Sequence, residues 1–175
     1  MDAPYVSTFL GNRFYLTQPR IDDVDIEDIA HGLAYQCRFN GQTREFYSVA
    51  QHSLMVTDLV PDHCRLAALL HDAAEAYLGD MVKPLKNLFP EFSLIEGRVM
   101  QIIGHRFDVD LEALDPSIKQ ADLVALATEK RDLMPHSTET WVNLQDVAPL
   151  PDALRPMSPM AAKAAFLERF HHLLA

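Results

Sequence analysis

The chain has 175 residues, of which 49% are apolar, 23% are charged and 9% are aromatic. This length predicts about one domain with its own hydrophobic core, and the composition argues against disordered, collagen-like and coiled-coil proteins. The formal net charge of −10 argues against non-specific binding of nucleic acid and against docking on an anionic membrane surface.

The sequence shows no sign of export or of membrane insertion. No apolar run approaches the roughly 18 residues of a membrane span, and the first residues lack the basic and apolar regions of a secretory signal. The two cysteines, Cys37 and Cys64, have no CxxC spacing. We therefore expect a reduced, cytoplasmic protein.

The N-terminal residues 1–21 do not have a helical period. Aromatic and apolar side chains flank Gly11 and Asn12, which is compatible either with a short hairpin or with an irregular arm.

From there on, apolar residues recur at steps of three and four, which is typical of helices. The predicted helices cover about 23–37, 48–60, 62–79, 93–107, 115–134 and 158–174. Their limits rest on local signals such as capping residues, prolines and a terminal glycine: Ser48, Asp62, Gly79, Ser93, Asp115-Pro116 and Ser158-Pro159. The residues between them, 38–44, 80–90 and 135–159, are predicted to be loops. The expected fold is all-α, a single domain of about six helices over residues 1–175.

Polar side chains on apolar helix faces are the informative exception, because burying them without a partner costs about 1–3 kcal/mol or more. They occur on three predicted helices: His52, the adjacent pair His71 and Asp72, and Asp122. Taken singly, each is more simply explained as a core histidine or as an aspartate bonded to the backbone. Together, two imidazoles and two carboxylates suit a borderline divalent cation such as Mn, Fe, Co or Zn.

Two further carboxylates lie close by in the sequence. Glu75 follows His71 and Asp72 by one helical turn on the same side, where it is either a solvated glutamate, a partner of a metal ligand or a general acid/base. Asp80 follows Gly79 at the helix end, where it is either a turn residue or part of the site.

Three segments of the chain, SVAQHS, LLHDAAEAYLGD and KQADLVALATE, resemble the HD superfamily of metal-dependent phosphohydrolases. The superfamily pattern H…HD…D falls at His52, His71-Asp72 and Asp122. HDAAEAYLGD is similar to the HDxxExxxGD segment of bacterial HD-domain 5′-deoxynucleotidases and of phage deoxynucleoside triphosphate triphosphohydrolases. The resemblance covers about residues 26–134 and implies an HD-type helical bundle.

The resemblance also implies roles for individual residues. It implies that His52, His71, Asp72 and Asp122 are metal ligands, and that Glu75 and Asp80 are catalytic. The residues it implies in substrate binding are Arg38, Phe39, Lys86 and Lys119. At Phe39 the family usually has Trp, which packs against the sugar, and both lysines are equally well explained as solvated surface charges.

The expected function is hydrolysis of deoxynucleoside 5′-monophosphates to nucleoside and phosphate, with a divalent Co, Mn, Zn or Fe ion as cofactor. One alternative is a deoxynucleoside triphosphate triphosphohydrolase, acting for example on dATP and releasing tripolyphosphate, and another is a non-catalytic metal-binding regulatory module. We expect a small-molecule nucleotide substrate, no nucleic acid or membrane partner, and the dimer or larger homo-oligomer that related enzymes suggest.

Three other features have simpler interpretations at this level. Glu129 lies two turns after Asp122 on one helix face, where it is either a partner of the site or an ion-pair partner of Arg38 or Arg44. Trp141 is interpreted as a loop anchor rather than a base-stacking residue. His31, His63, His105 and His136 have no partners at ligand spacing.

Overall fold

The N-terminal segment forms an antiparallel hairpin in the computed structural model, which describes residues 3–137, 139 and 141–175. Strand β1 (Tyr5–Ser7) pairs with β2 (Arg13–Tyr15), with Val6 opposite Phe14. Gly11 turns the chain with a φ of +83°, a conformation that costs glycine little because it has no Cβ. Of the two interpretations of this segment, the hairpin is confirmed.

Helices make up most of the rest of the described chain, which confirms a mostly α fold. In chain order they are α1 (Ile26–Tyr35), α2 (Val49–Asp58), α3 (Arg65–Leu70), α4 (Glu75–Leu78), α5 (Lys83–Lys86), α6 (Pro90–Phe107), α7 (Pro116–Leu133) and α8 (Pro159–Leu174). Three predicted caps are confirmed by hydrogen bonds from backbone N–H groups to the side chains of Ser48, Asp115 and Ser158.

The predicted third helix is broken. Asp62–Cys64 form a 3-10 turn with Pro61, not Asp62, at the capping position, and α3 ends at Leu70 before α4 begins at Glu75. Backbone bonds from Ala73 to Leu70 and from Glu75 to Asp72 span three residues and tighten this connection. Gly79 ends α4 with a φ of +91°, as predicted.

Two prolines begin helices where the sequence predicted a loop or a later start. Pro84 lies in the first turn of α5, inside the predicted loop 80–90, and Pro90 begins α6 three residues before Ser93. Proline is favoured at the first helical positions because its missing N–H needs no partner there. The predicted start of this helix at Ser93 is therefore wrong.

The buried apolar side chains form two clusters that meet along α2 and α3. The larger joins β2, α1, α2, α3, α4, α6 and α8 around Phe14, Leu33, Ile103 and Phe166, which are all fully buried. The smaller joins α2, α3 and α7 through Val56, Ala68, Ile118, Ala125 and their neighbours. The polar residues that the sequence identified lie on or next to the helices of the smaller cluster: His52 on α2, His71 and Asp72 just after α3, and Asp122 on α7.

Helix α1 approaches α4 very closely at Gly32. A Cβ atom at Gly32 would lie 2.8 Å from the carbonyl oxygen of Ala76, a distance that no relaxed structure tolerates. Glycine therefore sets the spacing between the two helices, and with it the position of Glu75 at the start of α4.

Among the described residues, no helix combines the length and the apolar character that crossing a membrane requires.

Candidate metal centre

His52 is fully buried on α2 and is fixed by a carboxylate from α7. Its Nδ1 lies 2.7 Å from Oε1 of Glu129, which is itself fully buried. A hydrogen bond of this kind keeps a proton on Nδ1, so Nε2 is the ring nitrogen that can bind a cation after it loses its own proton. Nε2 of His52 is buried and has no hydrogen-bond partner among the described residues.

His71 has the same arrangement with a different partner. Its Nδ1 lies 2.7 Å from the carbonyl oxygen of Ala68, an oxygen left available where α3 ends. Its Nε2 is also buried and, within the part of the chain that the structure describes, has no hydrogen-bond partner. Both imidazoles thus have a fixed Nδ1 and a free Nε2, which is the orientation of histidines that bind metal ions.

Both free nitrogens face the carboxylate of Asp72. Oδ2 of Asp72 lies 3.2 Å from Nε2 of His71 and 3.6 Å from Nε2 of His52, and Oδ1 of Asp122 lies 3.5 Å from the same His52 atom. Ligands held at about 2.1 Å from one cation at tetrahedral angles lie roughly 3.4 Å from each other. The observed spacings match that value better than they match hydrogen bonds.

The donor set therefore fits a divalent cation. His52, His71 and Asp72 bring ligand atoms within 4.8 Å of one another, and Asp122 adds an oxygen from α7. Two unpartnered imidazole nitrogens beside two carboxylates are a mixed nitrogen and oxygen set that Mn, Fe, Co and Zn all accept. The structure thus brings three of the four sequence-identified residues into one group, and the fourth, Asp122, lies 3.5 Å from His52.

The charged groups of the centre shift the pKa values of their neighbours. Burial and the charge of Arg38 oppose protonation of His52, but Glu129 and Asp122 outweigh them and raise its pKa to about 9. Burial opposes ionisation of Asp72, yet His71, His52 and Arg38 hold the pKa of that carboxyl below its usual range.

Arg38 lies at the edge of the centre because the chain leaving α1 pairs with the start of α2. Its backbone N–H donates to the carbonyl oxygen of Tyr47 at 2.9 Å. Its guanidinium lies 3.3 Å from Glu129 and 3.7 Å from Asp72, with only 11% of the side chain exposed. Burial acts to lower its pKa, but the surrounding carboxylates raise it, so Arg38 remains a cation.

Glu75 and Asp80 lie beside the same cluster. Glu75 is buried, and no described residue forms a hydrogen bond to its Oε2. Burial raises its pKa well above the ordinary value, and the charges of Asp72 and Asp80 act in the same direction. Burial also raises the pKa of Asp80. Burial and the two neighbouring carboxylates therefore favour the protonated form of Glu75.

Phe39 has a strained backbone. Phe39 and Asn40 have φ values of 55° and 52°, and Gly41 follows at 72°. A bulky residue in this region costs about 1–3 kcal/mol, and such strain collects at functional sites. It places the Phe39 ring 5.2 Å from the Arg38 guanidinium and 6.2 Å from the ring of Trp141.

The two lysines already have carboxylate partners. Nζ of Lys86 lies 2.6 Å from Glu96, and Nζ of Lys119 lies 2.6 Å from Oδ2 of Asp122. Lys119 therefore borders the centre, with 65% of its side chain exposed. Lys86 is bound to α6 through its contact with Glu96.

Sequence reasoning left the role of Glu129 open. The structure shows that it contacts His52 and Arg38 at once. Its position two turns after Asp122 was the available signal, since both must then lie on one face of α7. Which residues it meets there depends on α2 and on the segment after α1, and both are distant in sequence.

No family model matches the chain. Two proteins are similar to it over almost their whole length. The uncharacterized protein YfdR of Escherichia coli is 37% identical over 171 residues, covering 97% of this chain and 95% of YfdR. The uncharacterized protein RCAP_rcc00048 of Rhodobacter capsulatus is 36% identical, covering 94% of this chain and 92% of that protein. At this identity and coverage, the chain belongs to the protein family that includes YfdR and RCAP_rcc00048.

Proposed function

We propose that the chain is an HD-type, divalent-metal-dependent phosphohydrolase that removes phosphate from deoxynucleoside 5′-monophosphates. The observation that carries the proposal is the convergence of His52, His71, Asp72 and Asp122 with both imidazole Nε2 atoms unpartnered. An ordinary buried ion-pair network would satisfy those nitrogens, because leaving them unbonded costs free energy.

The residues around the centre suit hydrolysis of a phosphate ester. A divalent ion held there supplies Lewis-acid activation of water and offsets the charge of the phosphate. Arg38 lies beside the ligands and can donate to two phosphate oxygens from its planar fork.

Glu75 is the proposed proton donor to the leaving group. When water attacks phosphorus and the bond to O5′ breaks, the departing alkoxide requires a proton. Burial and two neighbouring carboxylates raise the pKa of Glu75, which favours the protonated form that can supply this proton. General-acid catalysis of this kind contributes about 10²–10⁴ to a rate.

The nucleoside part of the substrate would rest on the aromatic corner formed by Phe39 and Trp141. The two rings are tilted by 44° with centroids 6.2 Å apart, so neither covers the other, and a planar base can pack on the open side. Nζ of Lys130 lies 4.9 Å from the Trp141 ring and steadies it. On this proposal, Trp141 would contact the substrate, whereas the sequence alone favoured a loop anchor.

The pairing of the two lysines favours a monophosphate over a triphosphate. A triphosphate chain needs free cations beyond the scissile phosphate, and both Lys86 and Lys119 have a carboxylate at 2.6 Å. Arg38 lies 3.7 Å from the proposed ligand Asp72 and 5.2 Å from the ring of Phe39, so it can contact a phosphate held between them.

The proposal is tested by product analysis. Protein loaded with Mn²⁺ or Co²⁺ is incubated separately with each deoxynucleoside mono- and triphosphate, and orthophosphate and tripolyphosphate are measured. We expect orthophosphate from monophosphates, lost in Asp72→Ala and retained in Asp146→Ala, which changes an exposed aspartate. Tripolyphosphate as the sole product would instead establish the triphosphohydrolase alternative. A metal-loaded protein that hydrolyses neither substrate would favour the non-catalytic module.

A further inference from the structure

His63, Cys64 and Asp115 form a second group of metal-ligating side chains that the proposed function does not use. One ligand atom from each lies within 4.8 Å of the other two. His63 and Cys64 belong to the 3-10 turn before α3, and Asp115 caps the start of α7. The expectation that His63 lacks a partner at ligand spacing is therefore wrong, because its partner comes from a distant segment.

The second group lies along the same two elements as the candidate metal centre. Cys64 and Asp115 precede α3 and α7, whereas Asp72 follows α3 and Asp122 lies inside α7. The offset between Asp115 and Asp122 corresponds to about 10 Å of helix. The two groups are thus separate, one at the start of this helix pair and the other further along it.

The three side chains are prepared for binding in different ways. Cys64 is 4% exposed and packs in the smaller apolar cluster with Ala68 and Ile118, so its position is fixed. Asp115 accepts the backbone N–H of Ser117 on Oδ1 at 2.8 Å, which orients its carboxylate. His63 is exposed and gives a cation access from solvent.

The donor chemistry differs from that of the first centre. A thiolate, an imidazole and a carboxylate are three of the ligands that tetrahedral Zn²⁺ accepts, with water in the fourth position. The soft sulfur ligand selects Zn²⁺, Cd²⁺ or Co²⁺ over Mn²⁺ and Mg²⁺. The first centre, with two histidines and two aspartates, has no sulfur ligand.

We propose that His63, Cys64 and Asp115 form a second site for a thiophilic divalent cation, which joins the start of α3 to the start of α7. On binding, the Cys64 thiol loses its proton to solvent and its sulfur bonds to the ion. The ion fixes the relative position of the two elements that also carry Asp72 and Asp122. The site thereby stabilises the frame of the first centre without entering its chemistry.

Sulfur ligation makes the test independent of the first centre and of any catalytic activity. Reduced, metal-free protein is titrated with Cd²⁺ and then with Co²⁺, and the near-ultraviolet thiolate-to-metal charge-transfer absorption is recorded. We expect one thiolate per chain to ligate, with the band absent in Cys64→Ser and retained in Cys37→Ser, the matched change at the other cysteine. Asp72→Ala, which removes a ligand of the first centre, retains the band.

Two further variants cover the case in which Cys64→Ser does not fold. His63→Ala and Asp115→Asn change exposed side chains, and each should weaken Cd²⁺ binding, measured by the same band, about tenfold or more, since each removes or neutralises a ligand. Absence of the band in the wild-type protein overturns the proposal. So does a band that survives in folded Cys64→Ser, or one that His63→Ala and Asp115→Asn both leave unchanged.

Discussion

Metal affinity should rise steeply with pH, because His52 must lose a proton before its Nε2 can bind a cation. Burial and Arg38 oppose that proton, but Glu129 and Asp122 raise the pKa of His52 to about 9. From about pH 6 to about pH 8, the association constant for Mn²⁺ should therefore increase about tenfold per pH unit, with one proton released per ion. At about pH 7 the affinity should lie ~100-fold below its limit at high pH.

The raised pKa of His52 also determines how the stability of the metal-free protein depends on pH. The folded pKa of His52 is about 9 and the ordinary value is 6.5, so protonation stabilises the fold fully below about pH 6.5. That contribution is lost as the pH rises through about 9. Metal binding and folding of the metal-free chain should thus respond to pH in opposite directions across this range.

The assay is competition for Mn²⁺ against a chromophoric chelator across this pH range, together with proton release measured by an indicator dye. Glu129→Gln removes a charge that raises the pKa of His52, so the affinity should reach its plateau at lower pH. Glu168→Gln, an exposed change on α8, should leave the profile unaltered. An Mn²⁺ affinity that does not change over this pH range, or identical pH profiles for both variants, would refute the reasoning that His52 is protonated in the metal-free protein and binds the ion after losing that proton.

Three further outcomes can be measured directly. Glu75→Gln should lower kcat by about 10²–10⁴ because the leaving group loses its acid, while Mn²⁺ affinity, measured by chelator competition, stays within a few-fold. Gly32→Ala should lower the free energy of unfolding, measured in denaturant, by about 1–3 kcal/mol, because the new Cβ would lie 2.8 Å from the Ala76 oxygen. The control is Gly97→Ala on α6, where the new Cβ would meet open space, and this change should be neutral or stabilising. The fluorescence of Trp141, the single tryptophan of the chain, should change on addition of a deoxynucleoside 5′-monophosphate and not on addition of inorganic phosphate; an unchanged signal with the nucleotide would contradict the aromatic corner.

The helix limits that were predicted correctly depend on local chemistry. Ser48, Asp115 and Ser158 each accept a backbone N–H two or three residues further on, so a short window of sequence contains the whole interaction. The break between α3 and α4 contains neither glycine nor proline. It coincides with one local contact, the bond of the His71 side chain to the carbonyl oxygen of Ala68, and with one tertiary contact, the close approach of α4 to Gly32. A one-dimensional pattern does not contain the tertiary contact.

The site also has features that the local sequence predicts and features that depend on tertiary contacts. The four proposed ligands were identifiable because polar residues on apolar helix faces need a partner, and a cation satisfies all of them at once. The double contact of Glu129 and the meeting of His63 with Asp115 require knowledge of which helices are neighbours. Phe39 was expected beside the substrate, but its left-handed backbone conformation has no signal in the residue type, because phenylalanine rarely adopts it.

The position of Arg38 between two carboxylates has a consequence for the order in which ligands bind. Its guanidinium lies 3.3 Å from Glu129 and 3.7 Å from Asp72, so a cation that engages Asp72 and a phosphate that engages Arg38 both replace the same internal contact. Coupling between two binding equilibria is reciprocal, and each ligand must improve the affinity of the other by the same factor. On the proposed function, a bound nucleotide would therefore tighten the binding of the ion, and the ion that of the nucleotide.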